Sequence, residues 1–182
     1  MDMTVFETDR LVVRQWTESD ADVARVYDML SRWEVARWLG AQPRVIESAD
    51  EALGAIQRWR GRASADGLHG IWAVDVRDTG QTAGSVLVVP LPGVDQQPTK
   101  NIEVGWHLHP DSWGHGYATE AARAAIERVF AAGLGEIYAV IREGNTPSVA
   151  VATRLGMEPI GKRRDWYGGI ELDTYRLVAP QS

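Results

Sequence analysis

The stretch Ile102–Phe130, IEVGWHLHPDSWGHGYATEAARAAIERVF, decides how the rest of the chain is read. Ile102, Val104, Trp106 and Leu108 alternate with Glu103, Gly105 and His107, which is the period-2 pattern of a strand. Pro110 stops that pattern. After Gly114 and Gly116, the apolar positions Ala118, Ala121, Ala122, Ala125, Ile126, Val129 and Phe130 recur every three or four residues. That spacing is the buried stripe of an amphipathic helix. A strand that enters a helix through a glycine turn is a ready anion site. The first helical amides lack intrahelical partners, the helix dipole adds partial positive charge, and glycine lets a phosphate come close to the backbone. The same pattern also serves as a plain connection, and alone it names no ligand.

Working outward, Arg10–Trp16 is a first strand and Thr17 the N-cap of a helix with the stripe Val23, Val26, Tyr27 and Leu30. A short second helix is expected over Ser31–Leu39. Ser48 and Glu51 form a capping box for a helix running to about Ala63. Ile71–Arg77 and Ala83–Val89 flank the turn signal Asp78-Thr-Gly-Gln and make a hairpin. Pro90–Lys100 has three prolines and no periodicity, and is expected to be a mobile surface loop. Downstream of Gly133 and Gly135, Glu136–Arg142 is a strand. Asn145-Thr-Pro147 opens a helix that Gly156 closes, and Met157–Arg163 and Ile170–Val178 are a last strand pair joined through Asp165–Gly169. No repeat or linker interrupts the pattern, so residues 1–182 read as one α/β domain with a mostly antiparallel sheet.

Composition narrows the function classes. The chain has 182 residues, 45% hydrophobic and 24% charged, as in ordinary globular proteins. It has no cysteine, which excludes a disulfide framework, a thiolate nucleophile and a cysteine-ligated metal. Without a long apolar run or a recognisable signal peptide, the cytoplasm is the expected location. The net charge of −6, with Lys162-Arg163-Arg164 as the largest basic run, argues against nucleic acid as a partner. Mild acidity suits a cationic acceptor better than an anionic one. His107 and His109 are the closest histidine pair, and no carboxylate or cysteine cluster joins them, so no metal site is expected. Ser112 lacks a nucleophile elbow.

Taken together, TDRLVVRQWTESDA (Thr8–Ala21), the strand Ile102–Leu108, WGHGYATEA (Trp113–Ala121) and NTPSVAVATRLGMEPIG (Asn145–Gly161) resemble the GNAT superfamily of acyl-CoA-dependent N-acetyltransferases. The likeness spans Glu7 to Leu177. It is strongest to the RimJ/RimL-type branch, whose members modify N-terminal amines of ribosomal proteins or small-molecule amines. It implies a mixed, mostly antiparallel sheet of about six to seven strands flanked by helices, with a splayed strand pair at the cofactor site. The family's pyrophosphate loop, Gln/Arg-x-x-Gly-x-Gly/Ala, falls on Trp113–Ala118, with Trp113 at the Gln/Arg place. The resemblance thus implies that Gly114, His115, Gly116, Tyr117, Ala118 and Thr119 offer amides to the diphosphate of acetyl-CoA. It places Trp106, His107 and Leu108 along the pantetheine arm, with the Leu108 amide polarising the acetyl carbonyl. The 3′-phosphate partner among the arginines and lysines stays unassigned.

An attacking amine must be neutral, so a base is needed, directly or through water. Glu103 is the first candidate. His107 shares its strand face, about 13 Å away at strand rise, and suits a packed or hydrogen-bonded histidine better than a base. The family's acidic Tyr, seven residues after the Asn, is replaced by Ala152. Asn145 and Ser148 are then the candidates for contacting pantetheine or the sulfur, though Asn145 also suits a simple helix cap. Trp33, Glu34 and Trp38, with the Asp165–Gly169 turn, are expected around the acceptor. The expected chemistry is direct acetyl transfer to a primary amine, a small molecule or a protein N-terminus, in a ternary complex and without metal. A homodimer is among the assemblies open to it. Two rival classes are a non-catalytic acyl-CoA-binding domain of this fold and, less favoured, a nucleotide module. The chain lacks both Gly-Lys-Ser/Thr and a full Gly-x-Gly-x-x-Gly.

Overall fold

Short polar side chains start three of the five α-helices of the computed structural model, which describes residues 3–182. Helix α1 (Asp20–Leu30) is capped by Ser19, whose side chain accepts from the Asp22 amide. Thr17, the expected cap, lies outside the helix because Asp22 accepts both its amide and its hydroxyl at 2.8 Å. Helix α2 (Trp33–Ala36) is a single turn inside the expected 31–39 segment. Helix α3 (Ala49–Arg60) starts at Ser48, which accepts the Glu51 amide at 3.2 Å. Glu51 reaches back to the amide of Glu47, one residue before the partner a capping box calls for. Helices α4 (Tyr117–Ala131) and α5 (Thr146–Arg154) follow the glycine turn and Asn145 as the periodicity predicts.

The strands are β1 (Thr4–Glu7), β2 (Leu11–Gln15), β3 (Gly70–Val76), β4 (Thr82–Pro92), β5 (Pro98–Leu108), β6 (Glu136–Ile141), β7 (Glu158–Arg163) and β8 (Leu172–Val178). They form one eight-stranded sheet in the order β1-β2-β3-β4-β5-β6-β8-β7. This is one strand beyond the expected upper count, because β1 pairs with β2 ahead of the first predicted strand. Every neighbouring pair is antiparallel except β5 and β6. On one face, Val13, Val74, Val86 and Val104 bury against Ala121, Ala122, Ala125 and Val129 of α4 and Val151 and Ala152 of α5. The alanines let the α4 backbone sit close to the sheet. On the other face, Trp16 and Ala73 pack with Val26 and Met29 of α1 and Ala52 and Ile56 of α3.

Pro90–Lys100, expected to be a mobile loop, is instead the far end of a long β4–β5 hairpin. Pro92 pairs with Pro98, and the Gly93 amide donates to Gln97 at 2.8 Å. The β3 ladder ends where Gly70 meets Val88, so Pro90 and Pro92 lie on a stretch of β4 with one open side. A missing amide costs nothing there, and a proline is tolerated on such an edge. The hairpin tip carries a second chain segment, since Gly93 bridges to Trp166 and its carbonyl accepts from Gly168 at 3.3 Å.

Strands β5 and β6 stay in register only at Glu103 and Tyr138. Beyond that pair they part, and the sheet opens toward the glycine turn.

Candidate active site

The opening between β5 and β6 leads into a cavity of about 860 Å³ lined by Trp106, Leu108, Gly114, Tyr117, Thr119 and Ser148 among others. Gly114 and Gly116 both have φ of +80°, a conformation in which a side chain is strained. Gly116 is the N-cap of α4 and brings no capping side chain, so the first amides of this 15-residue helix keep no side-chain partner. The Thr119 hydroxyl is buried beside them without a hydrogen-bond partner. Glu120, the one acid of the first turn, is drawn aside. It accepts from Thr8 at 2.6 Å and from the Arg10 guanidinium at 2.6 Å. The turn therefore meets the cavity as a positive, donor-rich surface. Arg123 and Arg154 line the same cavity, and Arg123 donates to the Arg154 carbonyl, tying α4 to α5.

The direction of the β5 amides follows from the ladder. The His109 amide donates to Ala83 at 2.8 Å, toward β4. In an antiparallel pair successive amides alternate sides, so those of Trp106 and Leu108 turn the other way, into the opening. The Leu108 carbonyl accepts from the Trp113 indole at 3.0 Å, which holds the loop against the strand end. Across the opening, the Trp106 indole donates to Ser148 Oγ at 3.3 Å, leaving the Ser148 proton free to be donated elsewhere. Asn145 caps α5 through the Ser148 amide at 3.4 Å and also lines the cavity.

A smaller cavity of about 420 Å³ adjoins it; Trp38, Trp106, His107, Asn145 and Ser148 line both. Glu103 lines the smaller one and is 7% exposed. Burial pushes its carboxyl up to about 7, against the hydrogen bond from Tyr167 and the charge of Arg62. The Tyr167 hydroxyl donates to Glu103 Oε2 at 2.6 Å. Gly105 makes room for this carboxylate, since a Cβ there would sit 3.0 Å from Leu87 and 3.3 Å from Glu103 Oε1. Burial likewise lowers His107 to about 4, so its imidazole is neutral near pH 7. His107 Nε2 is buried without a partner, while the ring packs 5.7 Å from that of Trp59.

Tyr167 is held in an unusual way. Its φ is +50°, outside the range most side chains prefer, and Gly168 and Gly169 follow at +72° and +86°. Trp166, 4% exposed, anchors this turn against Leu91 and Tyr138. The β4–β5 hairpin thereby fixes the residue that reaches Glu103.

The remaining expected site residues separate. Glu34 lines the larger cavity with Trp38, whereas Trp33 is 53% exposed and lines neither cavity. The His115 ring stacks on Tyr117 at 5.1 Å, and its carbonyl accepts from Arg10. His109 is fully used within the protein. Its Nδ1 accepts the Asp111 amide, so its Nε2–H faces Asp28 at 2.7 Å. The Asp165–Gly169 turn expected around the acceptor does reach the site, through Tyr167 beside Glu103 in the smaller cavity, whereas Arg58 and Trp59 of α3 and Arg62, two residues past its end, escaped the sequence reading as site residues. The one signal for the arginines is their spacing of four, which puts them on one side of a helix end.

The chain is similar to proteins of known class. It is 30% identical to an uncharacterized N-acetyltransferase of Bacillus subtilis, YoaA, over 97% of this chain and 98% of that protein. Its fold matches a GNAT-family acetyltransferase from Bacillus anthracis with a TM-score of 0.76 at 20% identity, covering 96% of this chain and 98% of that one. It also matches RimL, a ribosomal L7/L12 α-N-protein acetyltransferase solved with coenzyme A. There the TM-score is 0.72 at 16% identity, over 96% and 97% of the two chains. The family model of the acetyltransferase (GNAT) domain matches residues 10–158, and the chain belongs to the GNAT acetyltransferase family.

Proposed function

We propose that this protein moves the acetyl group of acetyl-CoA directly onto a primary amine, with both substrates bound together. The observation that carries this reading is the arrangement along β5. An uncapped helix N-terminus and an opened strand edge lie at its C-terminal end, and a buried carboxylate of raised pKa sits earlier on the same strand.

Family membership supports acetyl-CoA as the acyl donor. The residues present fit it. The amides of Gly114, His115, Gly116, Tyr117, Ala118 and Thr119, with the unpartnered Thr119 hydroxyl, suit a diphosphate. Arg123 and Arg154 suit the further phosphate. Trp106, His107 and Leu108 suit the pantetheine arm, and Trp113, Asn145 and Ser148 close its walls. The thioester supplies an activated acyl carbon.

This chain's residues then do three things. Glu103, poised near neutrality, accepts the proton of the amine directly or through water as the C–N bond forms. The Leu108 amide donates to the carbonyl oxygen as negative charge builds there. As the C–S bond breaks, the electron pair leaves with sulfur, and Ser148, whose Oγ already accepts from Trp106, turns its hydroxyl proton to the departing thiolate as a hydrogen bond while the thiolate takes its proton from solvent. His107 at about 4 is too weak a base to hold the proton near pH 7. Glu34 and Trp38 are the acceptor-side walls, with Trp33 outside both cavities.

Thiol release from acetyl-CoA across a panel of small amines and peptide N-termini, with product mass as a second readout, tests this. N-acetylated product is expected. Tight CoA binding with no transfer to any amine would overturn the catalytic reading in favour of an acyl-CoA-binding domain.

A further inference from the structure

The smaller cavity has a charge opposite to that of the molecule. The chain carries a net charge of −6. Yet the cavity is lined by Arg44, Arg58, Arg62 and Arg142, with Glu103 as its one acid. Two of these arginines are engaged elsewhere in part. Arg44 pairs with Glu51 at 2.9 Å, and Arg142 donates to the carbonyls of Gly40 and Ala41 at 2.7 and 3.1 Å. The side chains of Arg58 and Arg62 make no hydrogen bond or ion pair among the described residues, although Arg62 feels the charge of Glu103. By contrast, other arginines packed around this layer are neutralised: Arg14 by Asp22 and Asp75, Arg25 by Asp111, Arg32 by Asp28. Arg142 Nε is buried without a partner, as is His107 Nε2 on the facing strand. An unmet Arg142 donor, an unpartnered His107 ring nitrogen and the unpaired guanidiniums of Arg58 and Arg62 therefore converge on the cavity beside Glu103. Buried donors without acceptors are costly, and ones that open on a cavity are met when a ligand supplies the acceptors.

We propose that the acceptor amine is a small molecule that also carries an anionic group, a carboxylate or a phosphate, held by Arg58, Arg62 and Arg142. The proposal rests on the acetyl-transfer reading and names the substrate class of that site. Guanidinium groups suit both anions, because their planar fork matches two oxygens at once. The cavity volume of about 420 Å³ is that of a small-ligand pocket. Holding the anion at the α3 end of the cavity leaves the amine of the same molecule to reach Glu103. It also keeps the anion from pairing with the positive α4 N-terminus across the strand. The general acidity of the chain, which on its own suits a cationic acceptor, is reversed locally where the substrate docks.

Matched pairs of amines read this directly in the whole protein. An amino acid is compared with its carboxamide, and an amino alcohol with its phosphate ester, by kcat/KM for thiol release. The anionic member of at least one pair is expected to be favoured about tenfold or more, the size of one good charged contact. Whichever pair shows the larger ratio identifies carboxylate or phosphate. In Arg58→Glu and Arg62→Glu that ratio is expected to fall about tenfold, carried by KM, with Arg→Lys retaining part of it. Neutral amines, polyamines or peptide N-termini used as well as the anionic members overturn the proposal, as does a ratio unmoved in both variants. A second measurement separates it from the acetyl-transfer reading. Calorimetry with CoA present compares an N-acetylated acid with the N-acetylated amide. Preferred binding of the acid without turnover on any amine keeps the anion site and removes the enzyme. Equal binding removes the anion site.

Discussion

Glu103 is where burial and the proposed chemistry meet in one side chain. Its carboxyl titrates at about 7 rather than its ordinary 4.5, chiefly because it is buried. Between those values the folded protein holds a proton that the unfolded chain has released. Stability from this group is therefore highest below about 4.5, declines as pH rises to about 7, and is flat above. Glu103→Gln keeps an acceptor for Tyr167 and removes the charge. It is expected to raise stability at pH 8 by up to about 3 kcal/mol and to abolish this part of the slope, read by denaturant melts at several pH values. The same variant is expected to lower kcat/KM by ~10²–10⁴, the usual worth of a positioned base. A Gln variant as active as the parent would remove Glu103 from the chemistry. In the unsubstituted protein, activity should rise with pH through about 7 as the base is freed. Tyr167→Phe deletes the donor that favours the carboxylate, so that midpoint is expected to move upward. An unmoved midpoint would mean the hydroxyl does not act on the base.

Two elements carry the site, and they were unequally visible in the sequence. The strand, glycine turn and helix of Ile102–Phe130 are local, and their periods and glycines announce them. There Gly116→Glu places a side chain and a negative charge where an uncapped helix end faces the cavity. Calorimetry is expected to show CoA binding lost with the fold intact by circular dichroism. Unchanged affinity would detach the turn from the cofactor. The β4–β5 hairpin was hidden because its prolines imitate a loop. Only the sheet order reveals that they lie past the end of β3, where no ladder partner needs their amides. Trp166→Ala removes a side chain that packs against this hairpin, and is expected to cost about 3–5 kcal/mol in urea unfolding. If the hairpin also positions Tyr167, the activity midpoint should shift upward in step with Tyr167→Phe. A destabilised variant with an unshifted midpoint would confine Trp166 to packing.

Across the whole molecule, the sheet's antiparallel character and the order of its helices were legible, because each element announces itself within a short window. What was not legible is what meets across distance. Glu103 and Tyr167 are 64 residues apart, and nothing periodic connects them. Arg58 comes from α3, Arg62 from just past its end and Arg142 from just past β6, and only the closed fold brings them to one cavity. Distance also explains how the ligand should act on stability. The larger cavity is walled by the α2 region, β5, the glycine turn, α4 and α5, elements that the sheet leaves parted beyond Glu103. A ligand bridging them binds the folded chain and has no equivalent site on the unfolded one. Its effect is RT ln(1 + [L]/Kd), about 2.7 kcal/mol at a hundredfold excess over Kd. For a chain of this length that corresponds to roughly 5–10 °C in Tm. Thermal unfolding with CoA at that excess is expected to show this shift, and ATP or NAD at equal concentration much less. Equal shifts from all three would mean that the opening reads only phosphate charge, with β5 and the walls at Asn145 and Ser148 taking no part in recognising the pantetheine arm.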